Sequence, residues 1–384
     1  MEEFCTLRQY VKLHMIKKIT IRFLYILFLG AIVFVPLYFL NQNIDKQNIS
    51  TGFHFLSQEA GFEISESIIE YNSYMGYSRA LLVGVVNTIY VALLGNFLAL
   101  ILGLLLGVLS ISKNFLLSKF CSFYLNFFRN IPLLLQLFFL YGIFTDILPA
   151  VKRSTPVFGI IASNRGVAIP WFSSGWASVS LLITLVTSIG LIFIVNKWAK
   201  NITTTYKKIL YPIFFALFFF AQIELITRFF HFEFPAVRGF NVRGGLNFSP
   251  EFISLLLGLV LYTGAFIGEI VRSGILAVDK GQWEASYALG LSKIQTLRKI
   301  ILPQSLKVAL PPMTAQFLNL TKNSSLAVAI GFPDFVSIAN TTMNQTGQAV
   351  ELVLLIMGLY LFTSLSVSGV ANIINYKLLG ARQR

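Results

Sequence analysis

The chain has 384 residues, of which 56% are apolar and 12% charged, with a formal net charge of +14. So little polar surface cannot wrap a soluble globule of this length, and lipid must cover much of it. The basic residues flank apolar runs and the aromatics are mostly Phe within them, which points to anionic lipid headgroups and away from nucleic acid.

A bilayer core about 30 Å thick needs roughly 20 apolar residues in a helix. Eight such windows occur, at about 23–40, 83–109, 131–149, 176–196, 210–230, 252–271, 306–330 and 352–374. The first is too long for the apolar region of a secretory signal and lacks a small-x-small cleavage site, so it reads as a retained anchor. Arg8, Lys12, Lys17, Lys18 and Arg22 precede it and hold the N-terminus in the cytoplasm. Alternation then places Lys113, Lys119 and Arg129 inside, followed by Lys197, Lys200, Lys207 and Lys208, by Lys293, Arg298 and Lys299, and by the tail with Lys377, Arg382 and Arg384. The acidic stretch with Asp45, Glu59, Glu63, Glu66 and Glu70 falls outside. Lys152, Arg153, Arg165, Arg238 and Arg243 also fall outside and dissent, without outweighing the inner excess. The expected fold class is an all-α integral membrane protein of about eight helices with both termini in the cytoplasm.

Between the sixth and seventh spans runs EASYALGLSKIQTLRKIILP, from Glu284 to Pro303. Gly290 is expected to close a short helix begun near Gly281 in the left-handed conformation, with Leu291 as the apolar contact after it. Ser292 and Gln295 have capping-box spacing and start a second helix, which Pro303 is expected to disrupt. Trp283, Tyr287 and Leu291 lie four apart and form an apolar stripe on the first helix; its plain alternative is an amphipathic helix on the membrane surface. Elsewhere, Gly103 with Gly107 and Gly264 with Gly268 are small-xxx-small pairs suited to close helix packing. Cys5 and Cys121 support no disulfide, and His14, His54 and His231 are too scattered for a metal site.

The knuckle resembles the EAA loop of ABC-importer permeases, with Glu284, Ala285, Gly290, Ile300, Leu302 and Pro303 in register and Ser286 replacing the third small residue. RNIPLLLQLFFLYGI from Arg129, NRGV from Asn164 and SPEFISLLLGLVLYTGAFIGEIVRSGILAV from Ser249 extend the resemblance to permeases for polar and general L-amino acids. It covers most of the chain after about Arg79. The resemblance implies a type I importer fold: a five-helix core made of the second, third, sixth, seventh and eighth spans, an N-terminal extra helix, and a two-helix insertion. Residues 1–78 then form the cytoplasmic tail, first span and periplasmic segment. Residues 79–384 form the permease domain, with the insertion at about 150–248 and the coupling loop at 281–303.

The resemblance also implies a multi-pass permease of the bacterial inner membrane that carries amino acids by alternating access. Its partners would be ABC ATPase subunits, a second and non-identical permease, and a periplasmic amino-acid-binding protein. No G-x-x-x-x-G-K-[ST] loop occurs, so ATP and Mg are expected on the ATPases, and the chain is expected to bind no cofactor or metal and to catalyse no reaction. The coupling residues would be Trp283, Glu284, Ala285, Ser286, Tyr287, Gly290, Ile300, Leu302 and Pro303.

Polar groups at membrane depth nominate the substrate route. Lys322, Asn323, Ser324 and Ser325 could meet a zwitterion, although Ser and Asn also bond between helices. Glu269 and Arg272 could pair on one helix face, while Arg129 and Pro132 lie where the resemblance implies a gate. Asp146, and Glu224 with Arg228, sit near span ends where pairing or headgroup contact suffices. An ion-coupled secondary transporter would share the spans without needing the knuckle, and a membrane scaffold would need no polar route.

Overall fold

A computed structural model describes residues 52–172, 218–220 and 232–380, with parts of 24–39. The expected first, fourth and fifth spans therefore lie largely or wholly outside the described residues. Within them, α1 (Tyr77–Ser110), α4 (Pro250–Leu276) and α9 (Ala349–Gly380) contain single helices long and apolar enough to cross a membrane. Two bent pairs add up to two more. In one, α2 (Phe115–Asn130) turns by 102° into α3 (Leu133–Gly142), which continues as a π turn to Ile147; in the other, α7 (Leu302–Asn323) and its neighbours turn by 52° into α8 (Phe335–Thr346). That gives up to five spans among the described residues, at the places expected for the five-helix core.

The glycine pairs show why α1 and α4 can form the centre of the bundle. A Cβ on Gly103 would lie 2.5 Å from Ile267 and 3.0 Å from the Gly264 carbonyl oxygen, and one on Gly107 would lie 2.7 Å from the Gly268 carbonyl. The two motifs thus face each other across one crossing, where only hydrogen side chains let the backbones approach. Around it Leu137, Leu255, Leu259, Ile267 and Leu320 are fully buried. Leu125 of α2 also reaches this crossing, its side chain lying 2.7 Å from where a Cβ on Gly268 would stand.

The ends of the bundle differ. Residues 52–76 strap the N-terminal ends of three helices: the Gly52 amide donates to Glu351 of α9 at 2.6 Å, Ser249 at the start of α4 donates to the Glu66 carboxylate, and Asn87 of α1 donates to the Glu66 carbonyl at 2.9 Å. The knuckle follows the C-terminal end of α4, whereas the acidic strap bonds to its N-terminal end.

Several expectations need correction. The all-α class is incomplete, because the insertion holds short antiparallel strands. β1 (Ile161–Ser163), β2 (Gly166–Ile169) and β7 (Leu246–Phe248) form one sheet in that order, beside the pairs β3 (Trp171–Phe172) with β4 (Phe232–Glu233) and β5 (Ala236–Arg238) with β6 (Asn241–Arg243). The β5–β6 turn is reversed by Gly239, whose φ of 68° a side chain would oppose. The expected third span lacks α2, and its helix starts only after Pro132, which cannot continue α2. The expected seventh span omits α8 altogether. Pro303 does not end its helix either: a π turn over Leu297–Ile301, closed by the Leu302 amide to the Leu297 carbonyl, passes the chain into α7 with Pro303 in its first turn.

Candidate functional site

The knuckle is built from local hydrogen bonding. Asp279 caps α5 (Lys280–Ala288), its Oδ1 accepting from the Gly281 amide at 2.6 Å. Past Ala288 the Gly290 amide donates to the Tyr287 carbonyl at 3.0 Å and the Leu291 amide to the Ser286 carbonyl at 3.1 Å, the two bonds of a Schellman ending, with Gly290 at φ 74°. Ser292 Oγ then accepts from the Gln295 amide at 3.3 Å, and Gln295 Oε1 accepts from the Ser292 amide at 3.0 Å, which starts α6 (Lys293–Thr296). Several of the backbone groups freed by the turn are thus met within a few residues.

The exposed face is not the one the four-residue spacing suggests. Trp283 is half-buried against the main core, and Ser286 is fully buried with its Oγ donating to the Trp283 carbonyl at 2.7 Å. Ser286 is therefore small for packing inside the chain. Glu284, Ala285, Tyr287 and Leu289 face outward, Leu289 being 78% exposed. Ile300 packs on the core, while Leu302 is exposed and Pro303 is half-buried.

Toward the C-terminal end of α4, Glu269 gathers charge from two helices. Its Oε1 meets Arg272 Nη1 at 3.0 Å and its Oε2 meets Arg129 Nη1 at 3.4 Å, and Ser273 Oγ donates to Oε1 at 3.3 Å. The expected Glu269–Arg272 pair is thus joined by Arg129, which sits at the end of α2 beside the bend. Pro132 is exposed at the start of α3. Asp146 is exposed near the end of the π turn. Glu224 and Arg228 lie outside the described residues.

At the end of α7, Lys322 is exposed, Asn323 and Ser325 are half-buried, and Ser324 is buried. Ser324 Oγ donates to the Thr321 carbonyl and Ser325 Oγ to the Lys322 carbonyl, both at 2.8 Å, so these hydroxyl protons serve the step from α helix to the 3-10 turn at Ser324–Ile330. The chain then reverses at Gly331, with φ 80°, and reaches Asp334, which sequence reasoning missed. Asp334 is fully buried and caps α8, one carboxylate oxygen accepting from the Ser337 amide at 2.8 Å while the other has no partner. Asn87 and Thr88 of α1 hold the same turn by bonds to the Pro333 carbonyl and the Phe335 amide. Its signal was the Gly-x-x-Asp spacing of a turn followed by a helix cap.

On the strap at the opposite end, burial pushes the Glu66 carboxyl above its usual range; the Ser249 hydroxyl opposes the shift and the Glu251 charge adds to it.

Residues 196–379 match the family described as the binding-protein-dependent transport system inner membrane component. The chain is 41% identical over 346 residues to the general L-amino acid transport system permease protein AapQ of Rhizobium johnstonii, covering 88% of this chain and 86% of that one. It is equally 41% identical over 346 residues to the putative amino-acid ABC transporter permease protein YhdX of Escherichia coli, covering 88% and 87%. A crystal structure of an amino acid ABC transporter with histidines overlays with a TM-score of 0.47 at 18% identity, over 78% of this chain and 95% of that one. The 41% identity to those two permeases, over more than four fifths of each chain, makes this chain a member of the permease family of amino-acid ABC importers.

Proposed function

We propose that this chain forms half of a pathway that carries amino acids inward across the bacterial inner membrane by alternating access, driven by partner ATPases that engage the knuckle. The observation that carries this reading is the knuckle itself: an EAA loop in register, capped at every turn, with Glu284, Ala285, Tyr287 and Leu289 turned outward. A short rigid helix presenting an acid and two apolar side chains suits a cleft in another protein. Closure of two ATPases on ATP would draw α5 with them, and Trp283 and Ile300, packed on the core, would pass that displacement to α4 and α7.

Family membership supports the remaining parts of the reading. A second permease, a related but non-identical chain, completes the pathway; a periplasmic amino-acid-binding protein delivers substrate at the strapped end; ATP and Mg reside on the ATPases. The topology is that of a type I importer of eight spans with both termini in the cytoplasm. The ion-coupled alternative would leave the knuckle without a task. Lys322 to Ser325, Glu269, Arg129 and Pro132 are the route residues we favour.

Copurification tests the reading. Glu284→Lys, on the exposed face, is expected to lower the yield of ATPase recovered with the detergent-solubilised permease; unchanged recovery would contradict docking through this helix.

A further inference from the structure

The bend between α2 and α3 poses a problem in hydrogen bonding. α2 stops at Asn130 and α3 cannot begin before Pro132, which has no amide proton to offer. The Phe128 carbonyl, four residues before Pro132, thereby loses its helical donor, beside a pocket lined by Phe127, Phe128, Leu135, Phe139 and Leu261. Water is a poor solution in such surroundings, and an unpaired buried carbonyl is costly.

A single side chain supplies the missing donors. Gln136, 94% buried, turns its Nε2 back across the bend and donates to the Phe128 carbonyl at 2.9 Å and the Ile131 carbonyl at 3.0 Å. Two facing carbonyls leave no doubt which end of the amide points at them. The Gln136 backbone is itself part of the first turn of α3, its amide donating to the Pro132 carbonyl at 3.3 Å. One residue thus bonds both arms, and the angle between them is fixed by a closed ring of hydrogen bonds.

That angle decides where Arg129 goes. Arg129 leaves α2 one residue after Phe128, whose carbonyl Gln136 holds, and reaches Glu269 on α4 with its guanidinium 5.5 Å from the Phe266 ring centre. We propose that Gln136 is a positioning residue for transport: it holds the α2–α3 bend rigid so that Arg129 stays engaged with Glu269, and the bend moves with α4 as one body during the transport cycle. The inference rests on the permease reading, but its first test does not require transport.

Spin labels at the exposed positions Lys119 and Ile147, in an otherwise cysteine-free background of the assembled transporter, report the bend directly. Wild type is expected to give one narrow distance distribution, and Gln136→Leu a broadened or shifted one. Gln136→Glu keeps the size but loses both donors at neutral pH, and a protonated carboxyl regains one. Its distribution is expected to narrow again as pH falls, whereas that of Gln136→Leu stays broad. In proteoliposomes with all subunits, maximal uptake by Gln136→Glu is expected to drop about tenfold at neutral pH and recover in part on acidification, with substrate half-saturation unchanged. Narrow, unchanged distances in both variants would overturn the proposal. So would broadened distances with full uptake. A wild type that binds ATPase but moves no amino acid would instead overturn the permease reading and leave the distance result standing.

Discussion

Two turns in this protein solve the same problem in opposite ways. At the knuckle, α5 and α6 meet at a largely exposed turn, where a Schellman ending at Gly290 and a capping box of Ser292 and Gln295 supply local bonds within a span of six residues. At the α2–α3 bend the Phe128 and Ile131 carbonyls are met by a buried side chain from the next helix, and an ion pair ties the end of α2 to α4. The exposed turn is a self-contained grip that can be moved as a unit by something outside the chain. The buried one is a joint locked into the bundle, where a change is felt by neighbouring helices.

The contrast is sharpest under substitution. The largest effect is expected at the α1–α4 crossing: Gly107→Leu drives a side chain into the Gly268 carbonyl and Val271, and about 3 kcal/mol of overpacking should show as loss of folded, detergent-stable protein. Glu269→Gln strips Arg129 and Arg272 of their shared partner. Because the three side chains keep 25–38% exposure, about 1–2 kcal/mol is expected, read as a lower melting temperature of the purified permease together with reduced uptake.

At the knuckle the penalties should be similar in size but local. A Cβ on Gly290 meets nothing within 4 Å, so Gly290→Val isolates the backbone term, about 1–2 kcal/mol for forcing a branched residue to φ 74°. Membrane insertion and melting temperature are expected to hold while ATP-driven uptake falls, and Gly290→Asn, which tolerates that conformation, should restore part of it. A fall in melting temperature as large as that of Glu269→Gln would erase the distinction between grip and joint. Ser292→Ala removes half of the capping box and should cost about 1 kcal/mol, seen as faster hydrogen exchange in 293–301 alone.

The smallest effect lies at the strap. The Glu66 carboxyl has a folded pKa above its unfolded value, so protonation favours the folded strap. Its contribution is complete below the unfolded pKa and is lost as pH rises through the raised folded one. Hydrogen exchange in 52–76 should therefore quicken across that window in wild type, and Glu66→Gln should flatten the dependence.

The same contrast explains what could be read in the sequence. Gly290, the Ser292–Gln295 box and the facing glycine pairs were legible because their partners lie within a few residues or repeat along one helix. Pro132 announced a break, but nothing local says that Gln136 would turn back to close it, or that Arg129 would reach Glu269 on another helix. The stripe of Trp283, Tyr287 and Leu291 misled because helical spacing gives a face without saying which side the bundle takes. α8 was missed because FVSIANTTMNQT is too polar for a hydropathy window, while the burial of Phe335, Ile338, Ala339 and Thr342 and the Thr88 bond to the Phe335 amide come from a tertiary fit that hydropathy does not register.

The central claim is that this permease moves amino acids only when an ATPase pulls on the knuckle. Uptake of a labelled amino-acid mixture into proteoliposomes, with permeases, binding protein and ATPases present and ATP either supplied or withheld, tests it most directly. Uptake that requires ATP and falls on Glu284→Lys is the expected result; equal uptake without ATP or without the ATPases would contradict it.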